Sequence, residues 1–112
     1  MNTIQVPVKV SDETLEEILE SAFMSANYWL YPNKITHKKG LSYDLLVPED
    51  DTDTTFEKCT LNKRKLLKGL KQYVNKYGIA SIEDGEIDSS VLDSFDCELI
   101  LQYALFGEQV FG

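Results

Sequence analysis

The stretch that most constrains this chain is its last third, from Asp88 to Gly112. Val91, Leu92, Phe95, Leu99, Ile100, Tyr103 and Phe106 recur there at three- and four-residue steps, which on a helix of about 3.6 residues per turn makes one wide apolar stripe. Asp88, Ser89 or Ser90 can cap its start, because their side-chain oxygens accept from orphan amides of the first turn. Gly107 follows the last periodic residue, where a left-handed position favours glycine. The spacing predicts roughly five turns of helix as the spine of the core.

The preceding residues supply elements to pack on that spine. Thr3 to Val10 alternates Ile4, Val6, Val8 and Val10 with polar or proline positions, the period of a half-buried strand, and Pro7 marks it as an edge. Ser11-Asp12 opens a helix through Ala26, with Leu15, Ile18, Leu19, Ala22 and Phe23 on one face and Glu16, Glu17 and Glu20 on the other. Pro32 and Asn33 mark a turn, followed by a basic segment, Lys34 to Gly40. Leu41 to Val47 reads as a strand, Pro48 to Asp53 as an acidic turn, and Thr54 to Leu61 as a returning strand. Asn62 to Tyr77 is a further helix with an apolar face of Leu66, Leu67, Leu70, Tyr73, Val74 and Tyr77, and Gly78 at its end. Asp84-Gly85 reads as a turn leading into the last helix. The expected architecture is α+β, one domain over residues 1–112, with two to four mostly antiparallel strands packed by three helices.

Composition excludes several function classes. A hydrophobic fraction of 43% suits a globular chain, and a net charge of −8 disfavours direct binding to nucleic acid or anionic lipid. No apolar run reaches the roughly 20 residues of a membrane helix, and no signal peptide is evident, so the expected location is the cytoplasm. Cys59 and Cys97 form no paired metal motif, and His37 is the only histidine, so a zinc site or a histidine-based triad lacks parts. Aligning Gly85 with the central glycine of a calcium loop puts Ala80, Ile82 and Val91 at ligand positions, which rejects that loop. With no Gly-rich phosphate loop either, the expectation is a non-catalytic protein without metal or cofactor.

Charge is unevenly placed. Seven of the eleven Lys and Arg residues (Lys58, Lys63, Arg64, Lys65, Lys68, Lys71 and Lys76) cluster around the second helix, whereas no base occurs from Gly78 onward. The simplest consequence is that the basic helix lies near acidic elements of its own fold. Glu49, Asp50, Asp51, Asp53, Glu83, Asp84 and Glu86 are the acids on predicted loops and form the candidate partner-binding set. Tyr28, Trp29 and Tyr31 join them as aromatic anchors, or else plug the gap between helix and sheet. Phe106, Val110 and Phe111 are the candidates for a homodimer contact.

Asn27-Tyr28-Trp29, the lysine-rich segment Leu66-Leu67-Lys68-Gly69-Leu70-Lys71, Asp84-Gly85-Glu86-Ile87-Asp88 and the run from Leu101 to Glu108 together resemble a group of small proteins carried by temperate phages and mobile elements of Gram-positive bacteria. The resemblance covers most of the chain and brings no activity to particular residues. It implies a phage-borne protein inside a bacterial host. By class association, such a protein binds and inhibits a host protein, for instance a nucleic-acid-binding defence effector of the CRISPR type, through an acidic surface. The alternative is an oligomeric binder that sequesters a nucleotide signal, with Lys34, Lys38, Lys39 and the basic helix meeting phosphates.

Overall fold

The computed structural model describes residues 2–5, 8–49, 55–78, 82–83 and 85–112, and the side chains of residues 4, 5, 82, 83 and 91 are not considered. Its class is the expected α+β, with three α-helices. The strands form two sheets, of four and three strands among the described residues, where a single sheet was expected. β1 (Asn2–Gln5) and β2 (Val8–Val10) pair antiparallel, so the alternating stretch at the start is a tight pair of short strands. Pro7 lies outside the described residues. β2 then runs parallel to β7 (Glu86–Ile87), which closes a hairpin with β6 (Ile82–Glu83). The second sheet is the antiparallel meander β3 (Ile35–Lys39), β4 (Ser42–Pro48) and β5 (Phe56–Leu61). Its first strand takes up the basic segment, whose polar residues are mostly exposed and gave no period-two signal.

α1 (Asp12–Ser25) begins where the sequence placed it, with the Ser11 hydroxyl accepting from the Thr14 amide at 3.1 Å. α2 (Lys63–Tyr77) is capped by Asn62 in the same way. α3 (Ser94–Phe106) is shorter than expected. Asp93 caps it through a reciprocal bond pair with Asp96, and Asp88 instead caps a separate 3-10 turn at Ser89–Val91. This doubly bonded start outcompetes one further upstream, and Phe95, counted in the apolar stripe, is 56% exposed. Gly107 ends the helix in the left-handed conformation at φ 75°.

α3 is the spine. Cys97 through Tyr103 are all buried, because α1 packs on one part of its surface and α2 on another. A helix enclosed this way is apolar nearly all round and has no single stripe. α2 is seated by Gly69, where a Cβ would lie 2.6 Å from the Ala104 nitrogen and 2.8 Å from the Ile100 oxygen. Leu15, Ile18, Leu19 and Ala22 of α1, Leu66 and Leu70 of α2, and Leu45 and Leu61 of the meander complete one core.

Candidate functional site

Two polar residues sit inside that core, both on α3. Glu98 is 4% exposed and Gln102 1%. The Glu98 carboxylate accepts from Ser25 Oγ at 2.8 Å, the Tyr28 hydroxyl at 2.5 Å, Trp29 Nε1 at 3.1 Å and Gln102 Nε2 at 3.2 Å. Four donors are about what two carboxylate oxygens can accept, so this buried group needs no cation to be satisfied. Burial, reinforced by the bond to Glu98, pushes the Tyr28 phenol up to about 12. Gln102 links this carboxylate to the last residues: its Oε1 accepts from the Val110 and Phe111 amides, each at 2.8 Å, and its Nε2, besides Glu98, donates to the Phe111 carbonyl at 3.0 Å. The Phe111 ring lies flat on Trp29, with centroids 4.5 Å apart and planes 5° from parallel.

This geometry separates the three aromatics of the Tyr28–Tyr31 segment. Trp29 is core, 3% exposed, so it is no surface anchor in the folded protein. Tyr28 is 52% exposed, with its hydroxyl turned inward. Tyr31 is partly buried. Phe106 and Phe111 pack on Trp29 within the same chain, which leaves Val110 as the exposed member of the expected dimer contact.

Of the candidate acids, Glu49 and Glu86 are exposed. Asp50, Asp51, Asp53 and Asp84, and the side chain of Glu83, lie outside the described residues. A run of exposed acids among the described residues lies on α1. Glu13, Glu17 and Glu20 are exposed at i, i+4 and i+7, and the same ridge continues through Met24, 76% exposed, to Tyr28. Phe95, one turn ahead of Glu98 on α3, is exposed near where Tyr28 reaches that helix. Among the described residues no cation pairs with Glu13, Glu16, Glu17 or Glu20; Glu17 accepts from the Ser89 hydroxyl.

The basic helix packs on α3, which carries Asp96 and Glu98, yet few of its bases meet an acid among the described residues. Only Lys63 of α2 makes an ion pair among the described residues, with Asp12 at 3.0 Å. Arg64, Lys68 and Lys71 are exposed and unpaired there, because α3 stands between α1 and α2. Lys68, Lys71, Gln72, Asn75 and Lys76 line an open groove beside the exposed Tyr77. Lys38 and Lys58 instead meet Asp44 on the meander, at 3.4 and 3.8 Å. His37 is exposed, bonded to the Gly40 carbonyl and stacked on Tyr43.

Among the described residues no group of three or more His, Cys, Asp or Glu is placed to hold a metal ion, and no helix is long and apolar enough to cross a membrane. Both cysteines are free, and burial pushes the Cys97 thiol up to about 11, leaving little thiolate near neutrality. Neither Glu98 nor Gln102 was singled out from the sequence. The available signal was a carboxylate and an amide four residues apart inside an otherwise apolar helix, which must find partners if buried. The chain matches no protein-family model, no curated protein and no solved structure.

Proposed function

We propose that this protein is a non-catalytic binding protein that engages a basic surface of another protein through the exposed face of α1. The supporting observation is the ridge Glu13-Glu17-Glu20-Met24-Tyr28, in which exposed carboxylates that meet no cation among the described residues lead into exposed apolar side chains. Carboxylates steer a cationic partner and fix its orientation, while a thioether and an aromatic ring supply area that loses water on contact. In the bacterial, phage-borne setting that the sequence resemblance implies, the partner is a nucleic-acid-binding host protein, a CRISPR-type defence effector among them. Its phosphate-binding surface has the required positive potential, and occupying that surface inhibits it.

The test is retention from bacterial lysate on immobilised protein, with Glu13→Lys/Glu17→Lys/Glu20→Lys as the control. A nucleic-acid-binding protein held by the parent chain, lost by the triple variant and eluted by added duplex DNA is the expected result. Equal retention by both chains removes the α1 face from the proposal.

A second reading has its own observation: Arg64, Lys68 and Lys71 are unpaired among the described residues, and the groove beside Tyr77 combines lysines with amide side chains. That set suits a small phosphorylated ligand such as a nucleotide. Cyclic and linear nucleotides raising the melting temperature in a dose-dependent way would favour it. No shift at millimolar ligand leaves the protein-binding reading alone.

A further inference from the structure

The contacts between Gln102 and residues 110–111 have the form of strand recognition. One side-chain amide takes two consecutive main-chain N–H groups on its oxygen and returns a bond to a main-chain carbonyl. Such bonds read backbone and ignore side-chain identity, as when a peptide adds to a sheet edge. Identity is read by the ring cage next to it, where Trp29 stacks on Phe111 and Phe106 packs at 6.0 Å. The receptor side is fixed from beneath: Glu98 accepts from both Trp29 Nε1 and Gln102 Nε2, so one buried carboxylate orients the indole and the amide together. The occupant is held through one side chain and one ring stack. Residues 109–112 have no regular secondary structure, Gln109 and Val110 are exposed, and the described hydrogen bonds from the α3 and α1 body to residues 109–111 all end on Gln102. Gly107, at φ 75°, turns the chain at the root of the segment, where its carbonyl accepts from Gln72 Nε2 at 2.6 Å.

We propose that Trp29, Gln102 and Phe106 form a peptide-docking pocket for an extended segment carrying an aromatic side chain, and that residues 109–111 fill it in cis as a releasable strap. The ligand class is a short peptide in extended conformation with phenylalanine or a similar ring at the position of Phe111. When the strap leaves, the pocket accepts such a segment from another chain. The pocket shares Glu98 with Tyr28 at the end of the α1 ridge, but its test does not depend on that ridge binding anything.

Trp29 is the only tryptophan, so its fluorescence reads the pocket directly. The experiment uses the full chain with Phe111→Ala, titrated with the peptide acetyl-Gln-Val-Phe-Gly-amide. The expected result is a red-shifted emission for the variant that the peptide reverses saturably, with no reversal in Phe111→Ala/Gln102→Met. Hydrogen exchange on the parent chain is the second measurement. A strap predicts Val110 and Phe111 amides exchanging at least about tenfold faster than those of Ile100 to Tyr103, through an opening that leaves α3 intact. Equal rates mean that the segment opens only with the whole fold, and they overturn the proposal even if the variant fails to fold. A folded Phe111→Ala chain whose emission ignores the peptide overturns it as well.

Discussion

α1 and α2 bury apolar stripes against the same helix, yet they present opposite charge to solvent and start in opposite electrostatic conditions. α1 has Asp12 and Glu13 in its first turn, where the helix dipole favours negative charge. α2 has no acid there and places Lys63, Arg64 and Lys65 at the same positive end. One helix is matched to its own dipole and the other is opposed to it. The inward faces satisfy the fold equally well, so the sign of the outer face is free to serve another purpose. Where a chain keeps a local mismatch, function is the first place to look for the compensation.

The two seats also differ in kind, and this gives the largest expected effects. The α1 side is joined to α3 through a polar hub, so Glu98→Ala strands buried donors on Trp29 and Gln102. It is expected to cost roughly 2–5 kcal/mol in urea unfolding, from the unpaired donors and the space left behind. A loss below about 1 kcal/mol would show that water or rotamer changes replace the carboxylate. The α2 side is joined by close approach. Gly69→Ala gains about 1 kcal/mol of helix propensity, but the new methyl meets α3 backbone that cannot turn aside. The expected net result is a destabilisation of about 1–3 kcal/mol. A more stable variant would mean that the two helices slide apart freely.

Alkaline pH separates the seats further. The Tyr28 phenol titrates near 12 in the fold and near 10 when unfolded. Because the folded value is the higher one, its contribution is complete below pH 10 and is lost as pH rises from 10 to 12. Tyr28→Phe should flatten the stability profile in that window relative to the parent chain. An unchanged slope would assign the alkaline loss to other tyrosines, such as Tyr73, which its own burial and then the bond to Asp96 also push up.

The smallest effects test the charge comparison itself. Arg64→Glu is expected to stabilise by about 0.3–1 kcal/mol, and Glu13→Lys to destabilise by a similar amount, since each reverses the match to its helix dipole. Thermal melts at low salt should show opposite signs, converging as salt is added. Reversed signs, with Arg64→Glu destabilising and Glu13→Lys stabilising, would mean that total charge, with its formal value of −8, outweighs the local dipoles.

Legibility from sequence followed how local each determinant is. α1 and α2 were readable because Ser11 and Asn62 cap them and their exposed faces are polar, giving a clear period. β4 was readable from the alternation of Leu41, Tyr43, Leu45 and Val47, and β5 less clearly because its alternation is imperfect. The start of α3 was misplaced because several capping residues stand in a row, and only the bond pair between Asp93 and Asp96 separates them. β3, β6 and β7 were missed: two are two-residue strands and the third is largely exposed, so pairing alone defines them. Glu98 was hidden for a related reason. Its donors Ser25, Tyr28 and Trp29 come from a distant part of the chain, and no local pattern shows that they converge. The net acidity is plain from composition, but the candidate partner-binding acids were placed on loops, and the acids of α1 were read only as the polar face of a helix.

The parallel pairing of β2 with β7 bears on the order in which the chain assembles. Lys9 lies opposite Glu86 and its amide bonds the Gly85 carbonyl at 2.7 Å, so the four-stranded sheet joins segments from nearly opposite ends of the described chain. The meander β3-β4-β5 connects neighbours and can form early. The junction of β2 and β7 must wait for a long loop to close, at an entropic cost that only the packing of α1, α2 and α3 can offset. In a refolding experiment, protection of the Lys9 amide should therefore be among the last to appear, after protection across β4 and β5.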